Sequence, residues 1–358
     1  MKILQALAAA VHEPGRNESG NTVAKNVRLE DLAAMAGVST ATVSRALNDS
    51  AAVNDHTKQR IWALAREHGY AFRRHMPAGP IGARGTIVIV IPRPQGRQNR
   101  LTDPFSQELV AEIGEAARDR GCDFLVSHVA PTSLDDLRAL MATTRADGVI
   151  FLGQSTLHRA FNELARNENR FVVWGADLPD QAYCSVGSDN ALGGRRAVSH
   201  LARLGRKRIV FLGDTEAPEI LQRYHGYLAG LQQAGLPSDP ALAVAAHFEV
   251  EEAQAAVSAL ISRRAAFDGI IAASDMIALG AIRALTRAGV KVPDDVSVVG
   301  YDDIQFARYT SPALTTVSQH IDLAGRMLVS KLLSSGAGQD MRSERAPTDL
   351  IVRESCGG

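Results

Sequence analysis

Short apolar runs alternating with longer amphipathic stretches constrain this chain more than any other feature. The runs read TIVIVI from Thr86, DFLVSHV from Asp123, GVIFLG from Gly148, FVVWGA from Phe171, RIVFLGD from Arg208, DGIIAAS from Asp268 and VSVVGYD from Val296. Between them lie helical patterns such as QELVAEIGEAARDRG from Gln107 and MIALGAIRALTRAG from Met276. A continuous apolar strand is buried on both faces, and helices between strands make the strands parallel. The pattern fills residues 86–358, too much for one sheet, so the expectation is an α/β body of two doubly wound parallel-sheet subdomains. The similarity of DGVIFLGQS and DGIIAASD hints at duplication. The chain is expected to change subdomain near YCSVGSDN, to return around TTVSQH, and to cross again after IDLAGRMLVSKLL. That assigns 86–187 and 320–341 to the N-subdomain, and 188–319 and 342–358 to the C-subdomain.

Residues 27–72 follow a different rule. LEDLAAMAG places Leu32, Met35 and Ala36 on one helical face, and Gly37 suits the left-handed residue that ends the helix. Val38 plugs the corner, Ser39 caps a second helix with Val43 and Leu47 inward, and Asn54 caps a third with Ile61, Leu64 and Ala65 at core spacing. Three short helices with a tight glycine turn make a helix-turn-helix unit, whose second helix fits the DNA major groove. Thr40 and Arg45 can reach base edges and Ala41 a thymine methyl, while Ser44, Asn48, Asn54 and Thr57 suit phosphate oxygens. The alternative is a small helical hairpin with those polar residues merely solvated.

Ligands of open α/β sheets bind beyond the carboxyl ends of the strands. Those ends carry Pro92, Gln154, Trp174, Asp214, Phe248, Ser274 with Asp275, and Asp302 with Asp303. Carboxylates and amides grip hydroxyls, and aromatic rings stack on the apolar face of a sugar. Singly, each has a plainer role, Trp174 as core and Asp275 or Asp302 as helix caps.

The stretch LEDLAAMAGVSTATVSRALND followed by VNDHTKQRIWALAREHGY resembles the DNA-binding headpiece of the LacI/GalR family of bacterial transcription regulators. From about Thr86 to Ser355, ASDMIALGAIRALTRAGVKVPDDVSVVGYDDIQFA, LTTVSQ and LIVRES resemble that family's periplasmic-binding-protein-like effector core. The resemblance implies effector contacts at Arg223, Phe248, Ser274, Asp275, Asp302 and Gln319, to which the strand-end reading adds Gln154 and Trp174. LTDPF, VVWGA and CSVGSDNALGG resemble the sugar-catabolic branch, which implies a sugar effector. Three departures stand out: Arg28 replaces the usual Thr or Ser cap, Ser274 the frequent asparagine, and Gly79 the hinge leucine that wedges into the minor groove. Residues 73–85 carry Pro77, Gly79, Pro80 and Gly82 and read as a tether rather than a hinge helix. Arg73 and Arg74 before them remain able to touch phosphates.

Lysine and arginine total 39, as do aspartate and glutamate, so affinity for nucleic acid must come from a local patch. Three widely spaced cysteines without a CxxC pair argue against disulfides and zinc and fit a reducing cytoplasm. Residues 1–26 read as a tail, ILQALAAAV being too short for a convincing secretion signal, and no apolar run reaches membrane-spanning length. No cofactor, metal or catalytic motif is found, and ten scattered histidines lack ligand spacing. A periplasmic sugar-binding protein would share the two lobes without needing AGVSTATVSRALND, and a sugar-acting enzyme would need a catalytic constellation. The expected protein is therefore a cytoplasmic homodimer that binds double-stranded operator DNA, responds to a small sugar, engages no membrane and represses a sugar-utilisation operon.

Overall fold

The computed structural model describes residues 29–47, 53–54, 57–58, 60–61, 64, 85–92, 103–154, 156–247, 249–335 and 342–357. Asn48, the hinge expectations at 73–84 with Arg73 and Arg74, and Phe248 lie outside them. Two compact units divide at Gly82 and Ala83.

In the first unit α1 (Leu29–Ala36) ends at Gly37, whose φ of 63° favours glycine. Ser39 Oγ accepts the Thr42 N–H at 3.1 Å, capping α2 (Thr40–Leu47). Asn54 Oδ1 accepts the Thr57 N–H at 2.8 Å, capping the helical residues that follow. Leu32, Ala33, Ala36, Val43, Ala46, Val53 and Ile61 form the core, with Val38 and Leu64 packed against it. Met35, expected on the inner face, is exposed, because Ala33 rather than Met35 completes the buried stripe. Arg60 of the third helical segment donates to the Ala36 carbonyl, satisfying the end of α1.

The second unit contains two six-stranded sheets. The first has the order β11-β5-β4-β3-β1-β2, with β1 at Gly85–Val90, β2 at Cys122–Ser127, β3 at Gly148–Leu152, β4 at Phe171–Trp174, β5 at Ser185–Ser188 and β11 at Glu344–Ala346. The second has the order β12-β10-β9-β8-β6-β7, with β6 at Ile209–Leu212, β7 at Ala243–Val244, β8 at Gly269–Ala272, β9 at Ser297–Asp302, β10 at Thr315–Ser318 and β12 at Asp349–Ile351. Every pairing is parallel except β10 with β12. Strands β3, β4, β6 and β8 are buried at every residue, as continuous apolar runs require. Edge strand β2 departs from that rule, since Phe124, Leu125 and Val126 are exposed.

The covering helices are α3 (Pro104–Asp119), α4 (Leu134–Thr143), α5 (His158–Ala165), α6 (Asn190–Arg203), α7 (Pro218–Ala234), α8 (Val250–Ser262), α9 (Asp275–Arg287) and α10 (Ile321–Ser335). Ala324, Leu328, Val329 and Leu332 of α10 pack into the core of the first lobe. The chain passes between lobes after β5, after β10 and between β11 and β12. One expected boundary is corrected. Residues 344–346, assigned from sequence to the C-subdomain, pair with Val186, Gly187 and Ser188 in the first sheet, because the third passage comes only at residues 347–348.

Candidate effector site and DNA-reading face

The site starts from how closely two helices approach. Gly194 lies so near the Arg223 carbonyl, and Gly226 so near the Ala191 carbonyl, that a Cβ at either would run into backbone. Helices α6 and α7 therefore touch backbone to backbone, which fixes where Arg223 projects. Its Nε donates to Asn190 Oδ1 at 2.8 Å, Nη1 donates to the Ala273 carbonyl, and the guanidinium lies 3.7 Å from the centre of the Tyr301 ring. Asp302, at the carboxyl end of β9, has its Oδ1 3.7 Å from Arg223 Nη1. That oxygen also accepts from Gln319 Nε2 at 2.6 Å, and Gln319 Oε1 accepts from Ser188 Oγ at 2.5 Å. A polar chain of hydrogen bonds, with one ion pair between Arg223 and Asp302, thus links Asn190 and Ser188, where the chain leaves the first lobe, to Gln319, where it returns.

Asp302 has a φ of 118°, a backbone region that costs a non-glycine residue on the order of 1–3 kcal/mol and that persists where the surroundings enforce it. Burial pushes its carboxyl up to about 7; Arg223 opposes this shift, and the charge of Asp103 adds to it. Asp103 caps α3 from the first lobe, its Oδ2 accepting from Ser106 N at 3.0 Å and Ser106 Oγ at 2.6 Å.

Of the residues singled out in the sequence, Arg223, Asp302 and Gln319 come together directly. Ser274 borders them and caps α9, its Oγ accepting from Ile277 N at 3.2 Å. Asp275 is fully buried and faces protein, accepting from Thr316 Oγ1 at 2.5 Å and Ile304 N at 2.9 Å, so it anchors the turn after β9. Burial, then the charge of Asp302, holds its carboxyl well above the usual range. Gln154 is also buried, its amide bound to the Ala176 carbonyl and N–H at 2.8 and 2.9 Å and to Tyr183 Oη at 2.9 Å, which pins the loop after β4. Trp174 is core, with Phe105 5.9 Å away. Sequence reasoning missed Ser188, Asn190, Tyr301 and Asp103, although Gly193 of the Gly193–Gly194 pair marked the close approach that seats Tyr301.

On the headpiece, Thr40, Ala41 and Arg45 lie exposed on α2. Ser44 occupies the same helix, but its side chain is not among the described ones. Asn54 uses its carbonyl oxygen in the helix cap, and Thr57 is half-buried. Among the described residues no helix is long and apolar enough to cross a membrane.

These features match known proteins. The pattern of the bacterial regulatory proteins of the lacI family covers residues 28–71, and that of the periplasmic binding protein-like domain covers 198–356. The HTH-type transcriptional regulator CelR of Thermobifida fusca is 32% identical over 91% of this chain and 97% of its own length. The chain belongs to the LacI family. This LacI-family chain is thus a helix-turn-helix transcriptional regulator rather than an enzyme. The repressor CytR of Escherichia coli strain K12 is 31% identical, over 91% of this chain and 95% of its own. Among solved structures, a CelR–cellobiose complex superimposes with a TM-score of 0.67 at 30% identity, covering 92% of this chain and 99% of its own. The Lac repressor dimer bound to operator and an anti-inducer superimposes with a TM-score of 0.76 at 26% identity, covering 93% and 99%.

Proposed function

We propose that this LacI-family regulator is a cytoplasmic homodimer that represses a sugar-utilisation operon and whose operator affinity is set by a small sugar held between its lobes. The observation that carries the reading is the chain Asn190–Arg223–Asp302–Gln319–Ser188, which joins ligand-gripping groups to the two segments where the chain changes lobe. A sugar that bonds to Arg223, Asp302 or Gln319 pulls on those segments and biases the angle between the lobes. CelR, solved with cellobiose, supports a sugar as the ligand class.

Ser274 and Phe248 complete the proposed contacts, while Gln154, Trp174 and Asp275 act through the loops and core they hold. Thr40, Ala41 and Arg45 read the major groove, and Ser44, Asn48, Asn54, Thr57, Arg73 and Arg74 fix register on the phosphates. Two headpieces on a palindrome require a dimer.

Thermal-shift screening of a sugar panel, followed by gel shift on the genuine operator, tests the proposal. A ligand at a hundred times its Kd should add about 2.7 kcal/mol of stability. Arg223→Ala and Asp302→Ala should each weaken sugar binding by about 1–3 kcal/mol or more while leaving sugar-free operator binding in place. Wild-type sugar affinity in both variants would remove the crevice from the mechanism.

A further inference from the structure

We infer that Gln222 is a positioning residue, a strut that carries the state of the crevice into the first lobe; this rests on the sugar reading above. Gln222 stands half-buried on α7 of the second lobe, next to Arg223 in the chain. Its Nε2 donates at 2.7 Å to the carbonyl of Asp177, in the loop that follows β4 of the first lobe. Its Oε1 lies 3.5 Å from Asn190 Nδ2, and Asn190 Oδ1 accepts from Arg223 Nε at 2.8 Å. The order Arg223, Asn190, Gln222, Asp177 thus leads from the ligand-gripping cluster to the other lobe through side chains, apart from the three backbone passages.

The two ends give that route a single direction. A guanidinium only donates and a backbone carbonyl only accepts. Asn190 must therefore turn its oxygen to Arg223 and its nitrogen to Gln222, and Gln222 must turn its oxygen to Asn190 and its nitrogen to Asp177. Flipping either amide would set donor against donor and acceptor against acceptor. The loop that receives the last bond is held stiffly. Gln154, beyond the end of β3, binds the carbonyl and the N–H of Ala176 at 2.8 and 2.9 Å, and Gln181 Oε1 accepts the Leu178 N–H at 3.2 Å. Arg345 of β11 lies 3.5 Å from Asp177 Oδ1 while donating to Ser185 Oγ of β5 at 2.8 Å. A sugar that shifts Arg223 therefore acts, through Gln222, on a loop tied to several strands of the first sheet rather than on one that gives way.

The test is operator affinity of the full-length protein by gel shift, with and without cellobiose, glucose, galactose, maltose or ribose at a concentration that saturates binding. At least one sugar should change the affinity of the wild type. Gln222→Glu keeps the size of the side chain but, ionised, sets an acceptor against the Asp177 carbonyl, and Gln222→Ala removes the strut. Both variants should still bind operator without sugar, while the ratio of operator affinities with and without sugar falls about fivefold or more toward one. Leu221→Ala, at an exposed neighbour on the same helix, should keep the wild-type ratio. Backbone hydrogen exchange over residues 175–182 should quicken in both Gln222 variants. A wild-type ratio in both, or unchanged exchange in both, overturns the strut and leaves the sugar reading standing. A wild type that responds to none of these sugars overturns the sugar reading and the strut with it.

Discussion

Burial, with the charge of Asp103 adding to it, pushes the Asp302 carboxyl up to about 7 even with Arg223 3.7 Å away. In the unfolded chain the same group titrates near 3.9. Between these values the folded protein keeps a proton that the unfolded chain has released, so this group's contribution to stability falls as pH rises from about 4 to about 7 and is level outside that window. Asp302→Asn lacks that contribution. The difference in unfolding free energy, wild type minus variant, should shrink between pH 4.5 and pH 7.5 in urea titrations, and a constant difference would show that the carboxyl is not raised. On the headpiece, Arg45→Ala should cost about 1–3 kcal/mol per half-site on the operator without altering the fold. Gel shifts at two salt concentrations check this, and unchanged affinity with unchanged salt dependence would place Arg45 off the interface. Arg223, Asp302 and Gln319 were legible because motif spacing marks them. Asp275 and Gln154 have the same chemistry at the same strand ends, yet Thr316, Ile304, Ala176 and Tyr183 satisfy them locally. Which lone pairs are already used depends on residues far away in sequence.

At the scale of elements, the contact between α6 and α7 sets the geometry of the crevice. Gly194→Ala would drive a methyl into the Arg223 carbonyl, and because that neighbour is backbone the helices must part. Overpacking of this kind costs about 1–3 kcal/mol, and Arg223 would move away from Asp302. Sugar affinity should therefore drop together with the melting temperature, whereas a surface control such as Arg203→Ala should change neither. Calorimetry and melting curves on both variants decide it. The caps at Ser39 and Asn54 and the αL turn at Gly37 were readable because each is a local rule of side-chain and backbone chemistry. Strand β11 was not, since three residues reading ERA carry no apolar period and become a strand only by finding the edge of β5.

At the scale of the molecule, two of the exposed apolar patches lie on β2 and on the turn after β9. Phe124 is 41% exposed, Leu125 59%, Phe306 61% and Tyr309 72%. Phe124 rests over Gly114 of α3, and Glu108 of the same helix accepts the Gln305 N–H at 2.7 Å, so α3 links the two patches. On a chain expected to pair, two exposed apolar patches joined by one helix are the expected seat of a second copy. Leu125→Glu with Tyr309→Glu should shift the protein to monomer in sedimentation and weaken operator binding at least tenfold, and an intact dimer would place the interface elsewhere. The paired sheets were legible in the apolar runs, whereas the third passage between lobes was not, because residues 347–348 carry no signal of their own.

That third passage bears on how the protein is made. Strands β11 and β12 are the last of their sheets to be synthesised, and they close the edges of two different lobes within eight residues, 344–351. Domains ordinarily fold in turn as they leave the ribosome. Here the first sheet gains its last strand only at residue 346 and the second only at 351, so both lobes wait for nearly the same point in the chain. While translation is under way the body stays open at both edges, and a message cut short before codon 344 yields a chain with no whole lobe.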